Sequence, residues 1–412
     1  YFDDDGKSYI IYNSDPPDRK PLYSGHRSIK IVQYDIPNRK VIGEEKMLVN
    51  GGVDITQNPV WVEAPHIYKI NGWYYLMCAE GGTGYNHSEV IFRSKHVDGP
   101  YTPGPVNPIL TQRDLDTSRK YPVTTAGHAD LVETPDGKWY AVFLGCRPYE
   151  GDYYNTGRET FLTPVEWKNE WPLINPGFKE IQYQYPVPFA STKKVNNAFS
   201  GNYTFKDDFK GSMLNERFML LRNPEAGLYK QNNGFLELPL KQTTAAESGN
   251  PAFIGFRQAH LKGDATTSVL FNATKENEKA GLMIFQSEHA FYFLCKSVRE
   301  GKPVVELYKA ATKKDKQPSL LASADLKSNK SLQLKIEANG GVYNFYYAEI
   351  KDKWTLLKDN VDGKFLSTKA AGGFVGSLYA LYATSNGTVT TNKALYDWFE
   401  YKGDDDVYKH LK

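Results

Sequence analysis

Glu63 lies in WVEAPHIY, framed by Trp61, Val62, Ala64, Pro65 and Tyr68. A carboxyl group held away from water favours its protonated form, which suits it to give up a proton as a general acid. A strand-end glutamate paired with an arginine would present the same text, but the rigid Pro65-His66 that follows is more typical of a site than of a core. His128, in TTAGHADLVE, is either a site imidazole or a core histidine bonded to a neighbouring carboxylate or carbonyl, and Asp130 is placed to orient it. Arg158, in YNTGRETFL, can donate two parallel hydrogen bonds to vicinal hydroxyls or to a carboxylate, unless it closes on Glu159. Trp61 is the aromatic candidate for substrate contact beside Glu63. The AEGGTGYNHS segment, with Glu80, Gly81, Gly82, Tyr85 and His87, lacks the GxxxxGK[ST] pattern and reads as a glycine-rich turn. Asp3-Asp4-Asp5-Gly6 reads as a hairpin turn rather than a calcium loop, and His26, His96 and His260 have no companions at ligand spacing. Cys78, Cys146 and Cys295 sit in apolar runs without CxxC spacing, so buried thiols are expected and zinc is not.

The elements that must hold these residues repeat. DDGKSYIIY, INGWYYLMC and PDGKWYAVF centre on Gly6, Gly72 and Gly137, spaced 66 and 65 residues apart. Each is an Asp-Gly or Asn-Gly turn feeding an aromatic, β-branched run, the mark of a hairpin. Strands are expected before two of the turns, over Val62–Lys69 and Gly127–Thr134, and after each of the three, over Ile29–Asp35, Glu89–Lys95 and Glu159–Trp167. About four strands per repeat suggests propeller blades. Glu63 and His128 each lie nine residues before their glycine, which predicts a common register at the start of an inner strand. The same position in the first repeat falls ahead of Tyr1. About three blades are expected here, whereas a closed ring needs at least four, so an N-terminal propeller segment is expected as a further part of the molecule.

The 412 residues carry 50 Lys+Arg and 48 Asp+Glu, a net charge of +2 that lacks the basic excess of a nucleic-acid binder. No stretch of about 18 apolar residues occurs, so no membrane insertion is expected. Aromatic residues make up 14% of the chain, with 29 Tyr and 7 Trp, a composition that fits β structure and sugar stacking. Residues 1–188 are read as the partial propeller, 189–204 as a linker that follows Pro186 and Pro188, 205–403 as an antiparallel β-sandwich, and 404–412 as a charged tail expected to fray.

The runs EAPHIYKINGWYYLMCAEGGTGYNHS, GPYTPGPVNPILT, GHADLVETPDGKWYAVFLGCRP and GRETFLTPVEW, in this order, resemble glycoside hydrolase family 43. The later AGGFVGSLYALYATSNG and LYDWFEY resemble the C-terminal domain of its two-domain β-xylosidase and α-L-arabinofuranosidase members. The resemblance implies an all-β molecule, a five-bladed propeller followed by a jelly-roll-like sandwich. It implies an exo-acting, inverting glycosidase that removes terminal pentoses from xylan or arabinoxylan oligosaccharides, with β-xylosidase favoured over α-L-arabinofuranosidase. Glu63 matches the family's general acid; the general base and a pKa-tuning Asp are expected upstream of Tyr1. Arg158 matches the sugar-binding arginine, His128 the axial histidine that in some members holds a central calcium, and Phe374 an aromatic that the sandwich places at the pocket rim. No cofactor is required for the chemistry, and a structural calcium is a candidate. The competing class is a glycan-binding protein that does not cut. A periplasmic or secreted location is favoured over a cytoplasmic one.

Overall fold

The computed structural model describes residues 1–186, 199–312, 317–409 and 411. They divide into two compact units: residues 1–147 with 158–192, and residues 148–157 with 193–412. The expected linker falls largely on residues 187–198, which lie outside the described residues.

The first unit contains three antiparallel sheets. The first runs β1 (Ser8–Ser14), β2 (Ser28–Asp35), β3 (Lys40–Asn50). The second runs β4 (Glu63–Ile70), β5 (Trp73–Glu80), β6 (Ser88–Ser94) and β7 (Thr102–Pro103), with β8 (Leu110–Thr111) also on β6. The third comprises β9 (Thr124–Glu133), β10 (Trp139–Cys146), β11 (Glu159–Lys168) and β12 (Trp171–Ile174). Sequence neighbours pair in each, as short turns dictate.

The run WYYLMC is apolar throughout because β5 is covered on both faces. Tyr74, Leu76 and Cys78 pack with Ile29, Ile31 and Leu48 of the first sheet. Tyr75 and Met77 point the other way and pack with Ala129, Leu131, Ala141 and Phe143 of the third. Strand alternation thus welds three sheets through two cores. All three cysteines are buried, as expected.

The hairpins are not equal in length. Asn71-Gly72 is a two-residue turn between paired Ile70 and Trp73, with both φ values positive. Thr134–Lys138 is a five-residue loop between paired Glu133 and Trp139. Asp3–Lys7 repeats the longer form, with Asp3 N donating to Lys7 O at 2.9 Å as Thr134 N donates to Lys138 O at 2.7 Å. The glycines therefore do not mark one register, and counting back from them is corrected by the ladders below.

The second unit is a sandwich of an eight-stranded and a six-stranded sheet. Leu332, Leu334, Ile336 and Ala338 alternate into its core and meet Leu282, Ile284 and Leu294 from the opposite sheet. The Tyr396 hydroxyl, fully buried, donates within hydrogen-bond reach of Gly281 O (2.9 Å) and Tyr382 O (2.8 Å), joining the sheets through satisfied polar groups. The tail does not fray at 404: Asp405 is buried and accepts from Lys262 N at 2.8 Å, and Asp406–Lys409 is helical. Gly281 has no room for a side chain, since a Cβ would stand 2.1 Å from Leu294 O and 2.9 Å from Leu334 Cδ1. Gly281→Ala is expected to destabilise the sandwich by about 1–3 kcal/mol through overpacking, read from its denaturant midpoint. An unchanged midpoint would contradict this packing.

Candidate active site

β4 and β9 present the candidate residues where their ladders break. On β4, Glu63 pairs with Ala79 and His66 with Met77, so Ala64 and Pro65 together oppose Cys78. On β9, Gly127 pairs with Leu144 and Asp130 with Val142, so His128 and Ala129 together oppose Phe143. A second irregularity follows, between Gly127 and Thr124. These are β-bulges, which re-aim side chains out of the regular alternation. Ala64, Thr125 and His128 take φ of 50°, 59° and 57°, a region that costs a residue with a Cβ. Aligned from Trp73 and Trp139, Glu63 is level with Thr125–Ala126, and His128 lies farther along its strand. The common register expected from the glycines does not hold, yet the charge of Glu63 still acts on the His128 imidazole.

His128 is the electrostatic centre of the group. Its imidazole pKa lies below the ordinary value, first through desolvation, with Glu63 opposing and His66 and Arg158 adding to the fall. His128 reaches solvent, although its surroundings partly desolvate it. Glu63 is half-buried. Arg158 directly precedes β11, and its charge also disfavours protonation of His87. The neighbouring Glu159 is engaged by another arginine. Arg147, 3% exposed, grips it with Nε and Nη2, each 2.8 Å from a carboxylate oxygen.

Asp130 does not serve His128 as the sequence suggested. Its Oδ1 lies 3.0 Å from His66 Nδ1 and accepts from the Tyr68 hydroxyl at 3.0 Å, while Tyr68 accepts from Leu131 N at 2.9 Å. The bulge shifts the pairing, so that the carboxylate serves β4.

Trp61 is 44% exposed, with the Arg27 guanidinium 5.2 Å from its ring centroid. Its backbone N–H donates to Gly25 O at 2.8 Å, and Gly82 approaches the ring edge. The glycine-rich segment is the turn from β5 to β6: a Cβ on Gly81 would lie 2.1 Å from Asn86 O. Phe374 belongs to the second unit, 57% exposed on the loop after Gly372 and Gly373, both at positive φ.

Two buried residues that hold the β9 backbone went unassigned in the sequence. His87 is 1% exposed; its Nδ1 lies 3.0 Å from Thr125 O, and its ring stands edge-on to His128 at 6.4 Å. Burial brings its pKa down to about 4. Glu89 is fully buried, accepts from Ala129 N at 2.8 Å, and has its pKa raised well above the carboxylate range by desolvation. Calcium wants six to eight oxygen ligands. Among the described residues no three His, Cys, Asp or Glu side chains converge as a ligand set, and Asp130 is already engaged.

Residues 1–172 match the model of glycosyl hydrolases family 43, and residues 206–402 that of the beta xylosidase C-terminal concanavalin A-like domain. A xylosidase/arabinosidase of Butyrivibrio fibrisolvens is 33% identical over 97% of this chain and 75% of its own length. The chain belongs to glycosyl hydrolase family 43. Another relative, a non-reducing end alpha-L-arabinofuranosidase of Bacteroides ovatus, is 36% identical over 82% of this chain and 62% of its own. The crystal structure of a family 43 protein retrieved from a capybara gut metagenome aligns with 93% of this chain and 71% of that one, at 38% identity and a TM-score of 0.84. In this family 43 chain the residues gathered around His128 come from β4, from β9 and from the residue that leads into β11.

The His87 shift predicts a pH dependence of stability. Between the ordinary value of 6.5 and about 4, the unfolded chain takes up a proton that the folded chain refuses, so this contribution is present above pH 6.5 and is lost as pH falls. The full loss amounts to about 3 kcal/mol. His87→Gln removes it, so the stability gap between wild type and variant is expected to narrow from pH 7 to pH 4 in denaturant titrations. A gap independent of pH would contradict the neutral, buried imidazole.

Proposed function

We propose that the protein is an exo-acting, inverting glycosidase that releases terminal pentoses from xylan or arabinoxylan oligosaccharides, with β-xylosidase the favoured activity. The observation that supports it is that the charges of Glu63 and Arg158 both act on the His128 imidazole in a family 43 chain. Glu63 protonates the glycosidic oxygen as the bond breaks. A second carboxylate, which the family resemblance places ahead of Tyr1, activates a water on the opposite face; inversion requires roughly 6.5–9.5 Å between the two carboxyls. Arg158 binds sugar hydroxyls with its planar pair of donors. His128, neutral at pH 7, contacts a hydroxyl through one ring nitrogen, and no step is routed through calcium. Trp61 offers an exposed face for stacking. The name of the Bacteroides ovatus relative favours a second reading, α-L-arabinofuranosidase. A polysaccharide substrate is consistent with a periplasmic or secreted protein.

One assay on the full-length protein separates the roles. Glu63→Gln keeps shape and hydrogen bonding but removes the transferable proton. Its kcat is expected to fall about 10²–10⁴-fold on xylo-oligosaccharides and much less on a nitrophenyl glycoside, whose leaving group needs little protonation. Arg158→Ala is expected to weaken both substrates alike. Equal losses on both substrates for Glu63→Gln would demote Glu63 to a binding role; undiminished activity would favour a glycan-binding protein. Comparing nitrophenyl xyloside with nitrophenyl arabinofuranoside decides the pentose.

A further inference from the structure

Glu89 has no part in the chemistry above, yet it is 0% exposed and placed at the interface of the second and third sheets. Along β6 it shares a face with Ile91, which packs on Ala129 and Phe143, so its carboxyl points at β9. A carboxyl among apolar side chains is unfavourable unless it satisfies groups that would otherwise be orphaned. Here it does so. The bulge takes His128 and Ala129 off the ladder with β10, and a buried N–H without an acceptor is costly. Ala129 N donates to Glu89 Oε2 at 2.8 Å, and the His128 N–H also acts on this carboxyl. Two residues earlier on the same edge, His87 holds Thr125, the other left-handed residue of β9. Gly127, between the two, leaves room for His87: a Cβ there would lie 3.0 Å from His87 Cε1.

We propose that Glu89 is a positioning residue: reaching across from β6, it fixes the β9 bulge that turns the His128 imidazole into the sugar site, with His87 bracing the strand just before it. The proposal rests on the reading that His128 contacts the sugar. It assigns Glu89 an action through His128 and none on the leaving group.

The test uses the full-length protein with Glu89→Leu, Glu89→Gln and His128→Ala. Glu89→Leu removes the acceptor and is expected to lower kcat/KM about 10–100-fold, the scale of an ångström-sized misplacement, equally on a xylo-oligosaccharide and on a nitrophenyl glycoside. Glu89→Gln keeps an acceptor oxygen and is expected to rescue most of that loss. In the His128→Ala background, Glu89→Leu should cost less than about threefold more, because the two act as one unit. If Glu89→Leu does not fold, Glu89→Asp, which withdraws the carboxyl by one methylene, takes its place with a loss of the same sign. Labelled-histidine spectra give a readout independent of activity: the His128 ring signals should shift or double in the Leu or Asp variant and stay as wild type in Glu89→Gln. Full activity in the folded Leu or Asp variant, losses that add to those of His128→Ala, or unmoved His128 signals would overturn the proposal. A wild type inactive on both glycosides, or a harmless His128→Ala, would instead sink the functional reading, and the ring spectra would still decide the role of Glu89.

Discussion

A strand covered on both faces has nowhere to put a polar side chain unless its alternation is broken. β5 shows the unbroken case, with Tyr75 and Met77 committed to one core and Tyr74, Leu76 and Cys78 to the other. The neighbouring β4 and β9 escape it by bulges, two residues against one at Ala64–Pro65 and at His128–Ala129. The site depends on these breaks. They free Glu63 and His128 from the packing that welds the sheets, and the charges of Glu63 and of Arg158, at the start of β11, both act on the His128 imidazole.

Breaking a ladder leaves backbone donors and acceptors unpaired, and the protein answers with side chains from the next sheet. Glu89 takes Ala129 N, and His87 faces Thr125 O. Asp130, displaced by the same bulge, ties β9 to His66 and Tyr68 of β4. The cost is visible in the titrating groups: His87 resists protonation and Glu89 resists ionisation, both through burial. Polar groups that would burden a core here hold a strained segment in place.

The strands and their order were legible because Asn-Gly and Asp-Gly turns and aromatic runs follow directly from local conformational preference. Glu63, His128 and Arg158 stood out as polar residues in apolar or glycine-bearing frames, and their motifs carried the resemblance to family 43. The register was not legible. Asn71-Gly72 and Asp136-Gly137 look alike in text, but one is a two-residue turn and the other part of a five-residue loop, so equal counts from the glycines reach different levels of the ladder. Glu89 was missed for a related reason. In SEVIFRS an alternating pattern lets a glutamate read as solvent-facing, and only the packing of two sheets shows that the face it occupies is an interface. The partner of Asp130 was hidden too, since i and i+2 share a face only in a strand without a bulge.

In the proposed mechanism a carboxylic acid, Glu63, and a base on the opposite face of the sugar act in a single displacement. The most direct measurement is the anomeric configuration of the pentose at the instant of release, followed by proton NMR before mutarotation, with a β-xyloside as substrate. The account predicts that the α-anomer of xylose appears first and the β-anomer grows in later at the mutarotation rate. Initial release of the β-anomer would mean a covalent, double-displacement route and would contradict it.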